Sequence, residues 1–204
     1  FTPRKSRKIQ SIIIHYTDMK TASASIKRLK SKKSKVSCHY LIDNSGNIIQ
    51  MVKDRDISWH AGISCWDGKK NLNNSSIGIE LQNKGKEFGY EKFRKEQILS
   101  LINLVILLKQ KYNICDAFIL GHSDIAPDRK IDPGYLFPWY QLYKAGIGLM
   151  PNIQSMDNKE LFNSEIKNLQ LLLREFGYKI TITKVFDKET LQVLYAFQSH
   201  YCPA

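Results

Sequence analysis

Cysteine is scarce and scattered in this chain. The four in 204 residues (Cys38, Cys65, Cys115 and Cys202) form no C-x-x-C pair. That spacing excludes a cysteine-type structural zinc site, and so few cysteines point to buried free thiols rather than a disulfide framework. Long apolar runs are missing as well. The longest, Leu99 to Leu108, is interrupted by Asn103, so no transmembrane segment is expected. Internal repeats and low-complexity tracts are absent. With 43% hydrophobic and 25% charged residues the composition is that of a folded domain, not of a disordered chain. The sequence starts at Phe1 and not at a methionine, and nothing about a signal peptide or lipid anchor follows from that start.

Acidic residues are also few, 19 against 31 lysines and arginines, for a net charge of +12. The imbalance is local. Residues 152–204 hold six basic and six acidic side chains, whereas residues 1–35 hold eleven basic ones and a single acid, Asp18. Such a run is either a solvated face or a surface that attracts a polyanion. No zinc-finger spacing or recognition-helix pattern accompanies it, so a nucleic-acid partner is not expected. An anionic membrane surface or an acidic wall polymer fits the charge equally well.

The order of elements predicts an α/β fold. Lys8 to His15 is a β-branched run that reads as a buried strand ending at a histidine. Thr21 or Ser23 caps a short basic helix through Lys30. Ser37 to Val52 reads as a hairpin turning at Asn44-Ser45-Gly46. In Ser76 to Leu81, Ile77, Ile79 and Leu81 share one face, while Ser76, Gly78 and Glu80 share the other. A long helix is expected over Tyr90 to Tyr112, then a strand from Ala117 to Leu120. A helix over Ser164 to Phe176, stopped by Gly177, and a second helix capped by Asp187 form a small C-terminal unit. The expected fold class is a central mixed β-sheet flanked by helices, with a small all-α C-terminal domain. The expected division is 1–146, a linker at 147–160, and 161–204.

Candidate chemistry concentrates in Gly121 to Gly134, where a strand empties into a loop with a histidine, an arginine, a lysine and three aspartates. Two prolines and two glycines pin that loop. His15, His122 and Asp132 would supply three ligands to a catalytic Zn2+ and leave a fourth position open. Glu80 would then act as general base and acid, and Lys130 would stabilise a tetrahedral oxygen. Each has a plainer reading: a hydrogen-bonded strand-end histidine, a solvent-facing strand glutamate, a salt-bridged loop lysine. His60 lies in a loop of small and aromatic residues suited to contacting substrate. His39 is expected to be structural and His200 to lie on the surface.

Five motifs in order make the sequence resemble the type 2 N-acetylmuramoyl-L-alanine amidases, zinc enzymes related to peptidoglycan recognition proteins. They are Ile12-Ile13-Ile14-His15-Tyr16-Thr17, Ser37-Cys38-His39-Tyr40-Leu41-Ile42-Asp43, Trp59-His60-Ala61-Gly62, Ser76-Ile77-Gly78-Ile79-Glu80-Leu81, and the Gly121 to Gly134 loop. The resemblance implies one Zn2+ on His15, His122 and Asp132, Glu80 as catalytic acid/base and Lys130 as transition-state stabiliser. It implies substrate contacts at Tyr16, Trp59, His60, Ala61 and Arg129. The reaction implied is hydrolysis of the amide between N-acetylmuramic acid, or its 1,6-anhydro form, and the L-alanine of a stem peptide.

The tail resembles a three-helix peptidoglycan-binding domain through Asn168-Leu169-Gln170, Phe176-Gly177-Tyr178, Phe186-Asp187-Lys188-Glu189-Thr190 and Ala196-Phe197-Gln198. The glycine that usually precedes the phenylalanine-aspartate pair is replaced by Lys184-Val185. Peptidoglycan and (anhydro)muropeptides are the partners implied, for a monomer in the periplasm or at the outer membrane of a Gram-negative bacterium. A cytoplasmic recycling enzyme is the alternative location. A non-catalytic peptidoglycan-recognition protein is the alternative function, in which a metal ligand would typically be lost.

Overall fold

A computed structural model describes residues 2–4, 8–152 and 163–202. Its strands are β1 (Thr2–Pro3), β2 (Ser11–Tyr16), β3 (Tyr40–Ile42), β4 (Ile48–Gln50), β5 (Asp56–Ile57), β6 (Cys65–Trp66), β7 (Lys69–Lys70), β8 (Ser76–Leu81) and β9 (Ile119–Gly121). Its helices are α1 (Ala22–Lys30), α2 (Gly85–Phe88), α3 (Lys95–Tyr112), α4 (His122–Ile125), α5 (Trp139–Lys144), α6 (Asn163–Phe176) and α7 (Lys188–Tyr201). Five strands form the central sheet in the order β4-β3-β8-β2-β9. All neighbours in it are parallel except β3 and β4, the antiparallel hairpin at one edge. The sheet is mixed and flanked by helices, as the element order predicts.

Strand β2, between β8 and the edge strand β9, is buried along its whole length. That accounts for its unbroken Ile12-Ile13-Ile14 run, since a parallel strand covered on both faces has no polar side. Ile12 and Ile14 join Ile77, Ile79 and Leu81 in a core with Leu101, Val105 and Leu108 of α3. Ile13 faces the other way, with Leu120. On that second face lie Leu173 of α6, Tyr178, and Val193 and Ala196 of α7. The C-terminal helices therefore share a core with the sheet. Each fully buried aliphatic or aromatic side chain there contributes roughly 1.5–3 kcal/mol. A backbone bond from the Asp67 N–H to the Gly177 carbonyl (2.8 Å) seals the contact.

Local signals place most boundaries. Thr21 caps α1 by accepting from the Ala24 N–H (3.2 Å), and Asp187 caps α7 by accepting from Thr190 (2.8 Å). The long helix starts later than its apolar spacing suggests, at Lys95 rather than Tyr90. The Asn83 amide holds the Glu91 carbonyl (2.7 Å), and Tyr90 is drawn across to the Pro133 carbonyl (2.5 Å). Tertiary bonds have taken that turn out of the helix. Of the expected linker, residues 153–160 lie outside the described residues, as do 161–162 and 203–204 of the expected tail; the helices of the tail described are α6 and α7.

Among the described residues no helix is long and apolar enough to cross a membrane. All four cysteines are free, but only Cys38 is buried; Cys115 is exposed and the other two are half-buried. His200 corrects the expectation of a surface residue: it is 2% exposed. It shares a face of α7 with the buried Val193 and Ala196, a helical spacing that could have marked it as inward-facing.

Candidate active site

Parallel register brings the site together. Pairing of β2 with β8 sets His15 beside Glu80, and pairing of β2 with β9 sets Ile14 beside Gly121, so His122 emerges next to His15. All three residues sit at the carboxyl ends of their strands, where open α/β sheets form their crevices. The loop after α4 returns Asp132 to the same point, held by a bond from the Ser123 N–H to the Asp132 carbonyl (2.9 Å).

The result is a buried triangle. His15 Nδ1 lies 3.0 Å from His122 Nδ1, and Asp132 Oδ2 lies 3.1 Å from each. Two imidazole nitrogens facing each other at this distance leave a shared space that one cation satisfies better than one proton. Ligand bonds of about 2.0–2.1 Å at tetrahedral angles would separate such atoms by roughly 3.3 Å, close to what is found. The electrostatics agree. Burial, then His122, push His15 down to about 4, which keeps it neutral. Burial alone would raise Asp132, but His122 and His15 outweigh it and hold the carboxyl well below its usual range. Neutral imidazole and ionised carboxylate are the forms that bind metal.

His60 does not offer its nitrogens to the cleft. Its Nδ1 lies 3.0 Å from His15 Nε2, and its Nε2 lies 3.1 Å from Ser76 Oγ, which donates to the Leu72 carbonyl (2.6 Å). With His15 Nδ1 turned to the metal position, the chain runs one way: His15 Nε2–H to His60, His60 Nε2–H to Ser76. That sets the tautomer of His15. Gly78 is part of the same arrangement, because a Cβ there would collide with the His60 ring. Gly78→Ala is expected to cost about 1–3 kcal/mol in thermal unfolding. It should also weaken metal binding by roughly 10–100-fold in chelator competition, by displacing His60 from His15.

Glu80 opens onto the same cleft. Its Oε2 is buried with no hydrogen-bond partner among the described residues. Burial and then the Asp132 charge raise its pKa well above the usual range, against the opposing pull of Lys130 and Arg28. The cleft, about 640 Å³, is lined by His15, Tyr16, Trp59, His60, Glu80 and His122, and also by Arg129, Lys130 and Asp132. Trp59 is 53% exposed and presents its ring. Ala61, among the expected contacts, is not in that lining. It is fully buried, and its carbonyl accepts from Arg129 Nη2 (2.6 Å) and faces His122 Nε2 (3.3 Å). Arg129 also donates to the Ile63 carbonyl, so its guanidinium clamps the Ala61–Ile63 backbone to the loop before Asp132. Arg28, Lys86 and Phe88 line the cleft too and carried no sequence signal.

A mixed α/β sheet whose strand ends gather two histidines and an aspartate beside an unpartnered glutamate, in an open cleft, defines a class: hydrolases that attack a carbonyl at a metal-type centre. Residues 5–135 match the N-acetylmuramoyl-L-alanine amidase family and residues 163–204 a peptidoglycan binding domain. The chain belongs to the N-acetylmuramoyl-L-alanine amidase family. It is 36% identical to the N-acetylmuramoyl-L-alanine amidase AmiD of Escherichia coli over 96% of this chain and 76% of that protein. It is 41% identical to the 1,6-anhydro-N-acetylmuramyl-L-alanine amidase AmpD of Haemophilus influenzae over 52% of this chain and 55% of that one. Among solved structures, E. coli AmiD in complex with anhydro-N-acetylmuramic acid-L-Ala-D-gamma-Glu-L-Lys superposes with a TM-score of 0.84. That match has 33% identity and covers 98% of this chain and 83% of that one. AmpDh3 of Pseudomonas aeruginosa in complex with anhydromuramic pentapeptide gives a TM-score of 0.81 at 31% identity, covering 100% and 87%.

Proposed function

We propose that this chain is a zinc-dependent amidase that cleaves the bond between N-acetylmuramic or 1,6-anhydro-N-acetylmuramic acid and the L-alanine of a stem peptide. The observation that carries the reading is the buried His15–His122–Asp132 triangle facing the unpartnered Glu80 oxygen across one cleft. His15, His122 and Asp132 would hold the zinc, which when bound supplies a Lewis acid for the scissile carbonyl and lowers the pKa of water. Glu80, with its raised proton affinity, takes the proton of the attacking water and returns it to the leaving nitrogen of L-alanine. The Lys130 ammonium, beside the cleft, offsets charge on the tetrahedral oxygen. Trp59 presents its ring to the sugar, and Tyr16 and the backbone clamped by Arg129 shape the groove around the peptide.

The basic run supports an anionic substrate. Lys27, Arg28, Lys30, Lys32, Lys33 and Lys35 are all exposed on α1 and the turn after it, and Arg28 lines the cleft. Stem peptides carry carboxylates. We retain the division into 1–146, 147–160 and 161–204, with the tail as a wall-binding unit. We place the protein in the periplasm or at the outer membrane, acting as a monomer on peptidoglycan and muropeptides in wall turnover and recycling. Nothing observed favours the non-catalytic reading, in which a metal ligand would be lost. The test is digestion of a purified anhydro-muropeptide with products identified by mass. Free stem peptide should appear, cease on chelation and return with Zn2+; release that is indifferent to chelation would overturn the proposal.

A further inference from the structure

Asp124 is fully buried two residues beyond His122, in the short helix α4 that carries that histidine. Its carboxylate accepts three bonds. One comes from its own loop, the Gly121 N–H to Oδ2 (2.7 Å). The other two come from the C-terminal unit: the Tyr178 hydroxyl to Oδ1 (2.6 Å) and His200 Nδ1 to Oδ2 (2.7 Å). The donors are themselves held. The Tyr178 ring packs edge-on against Trp66 with centroids 4.9 Å apart, and the His200 ring stacks on Trp139 at 3.5 Å.

Docking alone does not call for this arrangement. The apolar core around Ile13, Leu120, Leu173 and Val193 already joins the two parts, as do the Asp67–Gly177 backbone bond and a bond from Gln192 to the Asp128 carbonyl (3.1 Å). A buried carboxylate is costly unless fully hydrogen-bonded, and an apolar residue would join two surfaces more cheaply. What the carboxylate adds is direction. It fixes the first turn of α4 against Gly121, and α4 sets both His122 and, through the Ser123–Asp132 backbone bond, Asp132.

We propose that Asp124, Tyr178 and His200 are positioning residues for the metal centre, so that the C-terminal helices complete the catalytic site as well as contacting the wall. This rests on the assignment of His122 and Asp132 as zinc ligands. Without the Tyr178 and His200 donors Asp124 would keep one partner, the Gly121 N–H, in a buried site, and α4 would relax toward other donors. Metal affinity depends steeply on how firmly ligands are oriented, by roughly 10–100-fold for an outer partner.

The test uses the full chain and reads the metal directly. Tyr178→Phe keeps the ring and removes the hydroxyl; His200→Phe keeps the stacking on Trp139 and removes the N–H; His200→Asn restores a donor near the Nδ1 position. Zinc dissociation constants from chelator competition and the visible spectrum of the Co2+-substituted protein are measured alongside thermal unfolding and binding to insoluble sacculi. Tyr178→Phe and His200→Phe are each expected to raise the zinc dissociation constant about 10-fold and to alter the Co2+ bands. Their combination should raise it roughly 10–100-fold with sacculus binding retained, and His200→Asn should recover much of the loss. Unchanged zinc affinity and Co2+ spectrum in a folded double variant would overturn the proposal. If the double variant does not fold, the same readouts on Tyr178→Phe decide it. A wild-type protein that binds zinc tightly but hydrolyses no muropeptide would overturn the function and leave this inference standing; one that binds no zinc would overturn both.

Discussion

Asp132→Ala is expected to empty the site. Structural zinc sites are worth about 10–16 kcal/mol, and on that scale one ligand among three or four accounts for roughly 3 kcal/mol, about 100-fold in affinity. Asp132 should cost at least that much, because it is the one anion of the triangle. Its removal leaves two buried imidazoles facing each other at 3.0 Å with nothing to offset a cation. The measurement is metal content after dialysis, with chelator competition for the constant: about one zinc per chain in the wild type and close to none in the variant. Stem-peptide release should fall with it. Metal content unchanged from wild type would remove Asp132 from the ligand set.

Glu80→Gln should separate metal from chemistry. The amide is close to isosteric, and Glu80 is no member of the triangle, so zinc content should stay at the wild-type level. Turnover on a purified muropeptide should drop by about 10²–10⁴-fold, the usual share of a positioned general acid–base group. The loss should fall on kcat more than on KM, since proton transfer is made in the transition state and not in the bound substrate. A variant with near-normal kcat would sink the assignment and return Glu80 to an ordinary strand residue. A variant that loses zinc as well would show that Glu80 supports the ligands.

The two substitutions draw on information of different kinds. Glu80 was legible from strand alternation: Ile77, Ile79 and Leu81 claim one face, so Glu80 must use the other, beside Gly78. Asp132 was legible from a pinned loop rich in ligand-type side chains, ten residues past a histidine. Their meeting with His15 was not legible from period or propensity. It follows from the parallel order β8-β2-β9 and from registers that no local pattern specifies. Only the recurrence of five motifs in one order stood in for that tertiary information.

His60 and His200 show the limit most clearly. Both are histidines in or near aromatic segments, and both were read by neighbourhood. His60, expected to touch substrate, does line the cleft, but both its nitrogens are engaged by His15 and Ser76. His200, expected on the surface, is stacked on Trp139 and bonded to Asp124. Partners separated by 45 and 76 residues leave no trace in local spacing.

By itself, then, the sequence determined the α/β class, the longer strands and helices and the chemical types gathered in the candidate motifs, because hydrophobic period, caps and turn residues act over a few positions. Short elements such as α4 lay in stretches read as loop. Tertiary structure alone decided three things. It turned His15, His122 and Asp132 into one triangle, it made the Ala61 carbonyl and His60 supports for that triangle, and it seated α6 and α7 on the second face of the sheet with Tyr178 and His200 at Asp124. The physical reason is shared: each depends on which strands pair and which faces close on one another, and those choices are made by burial summed over the whole chain.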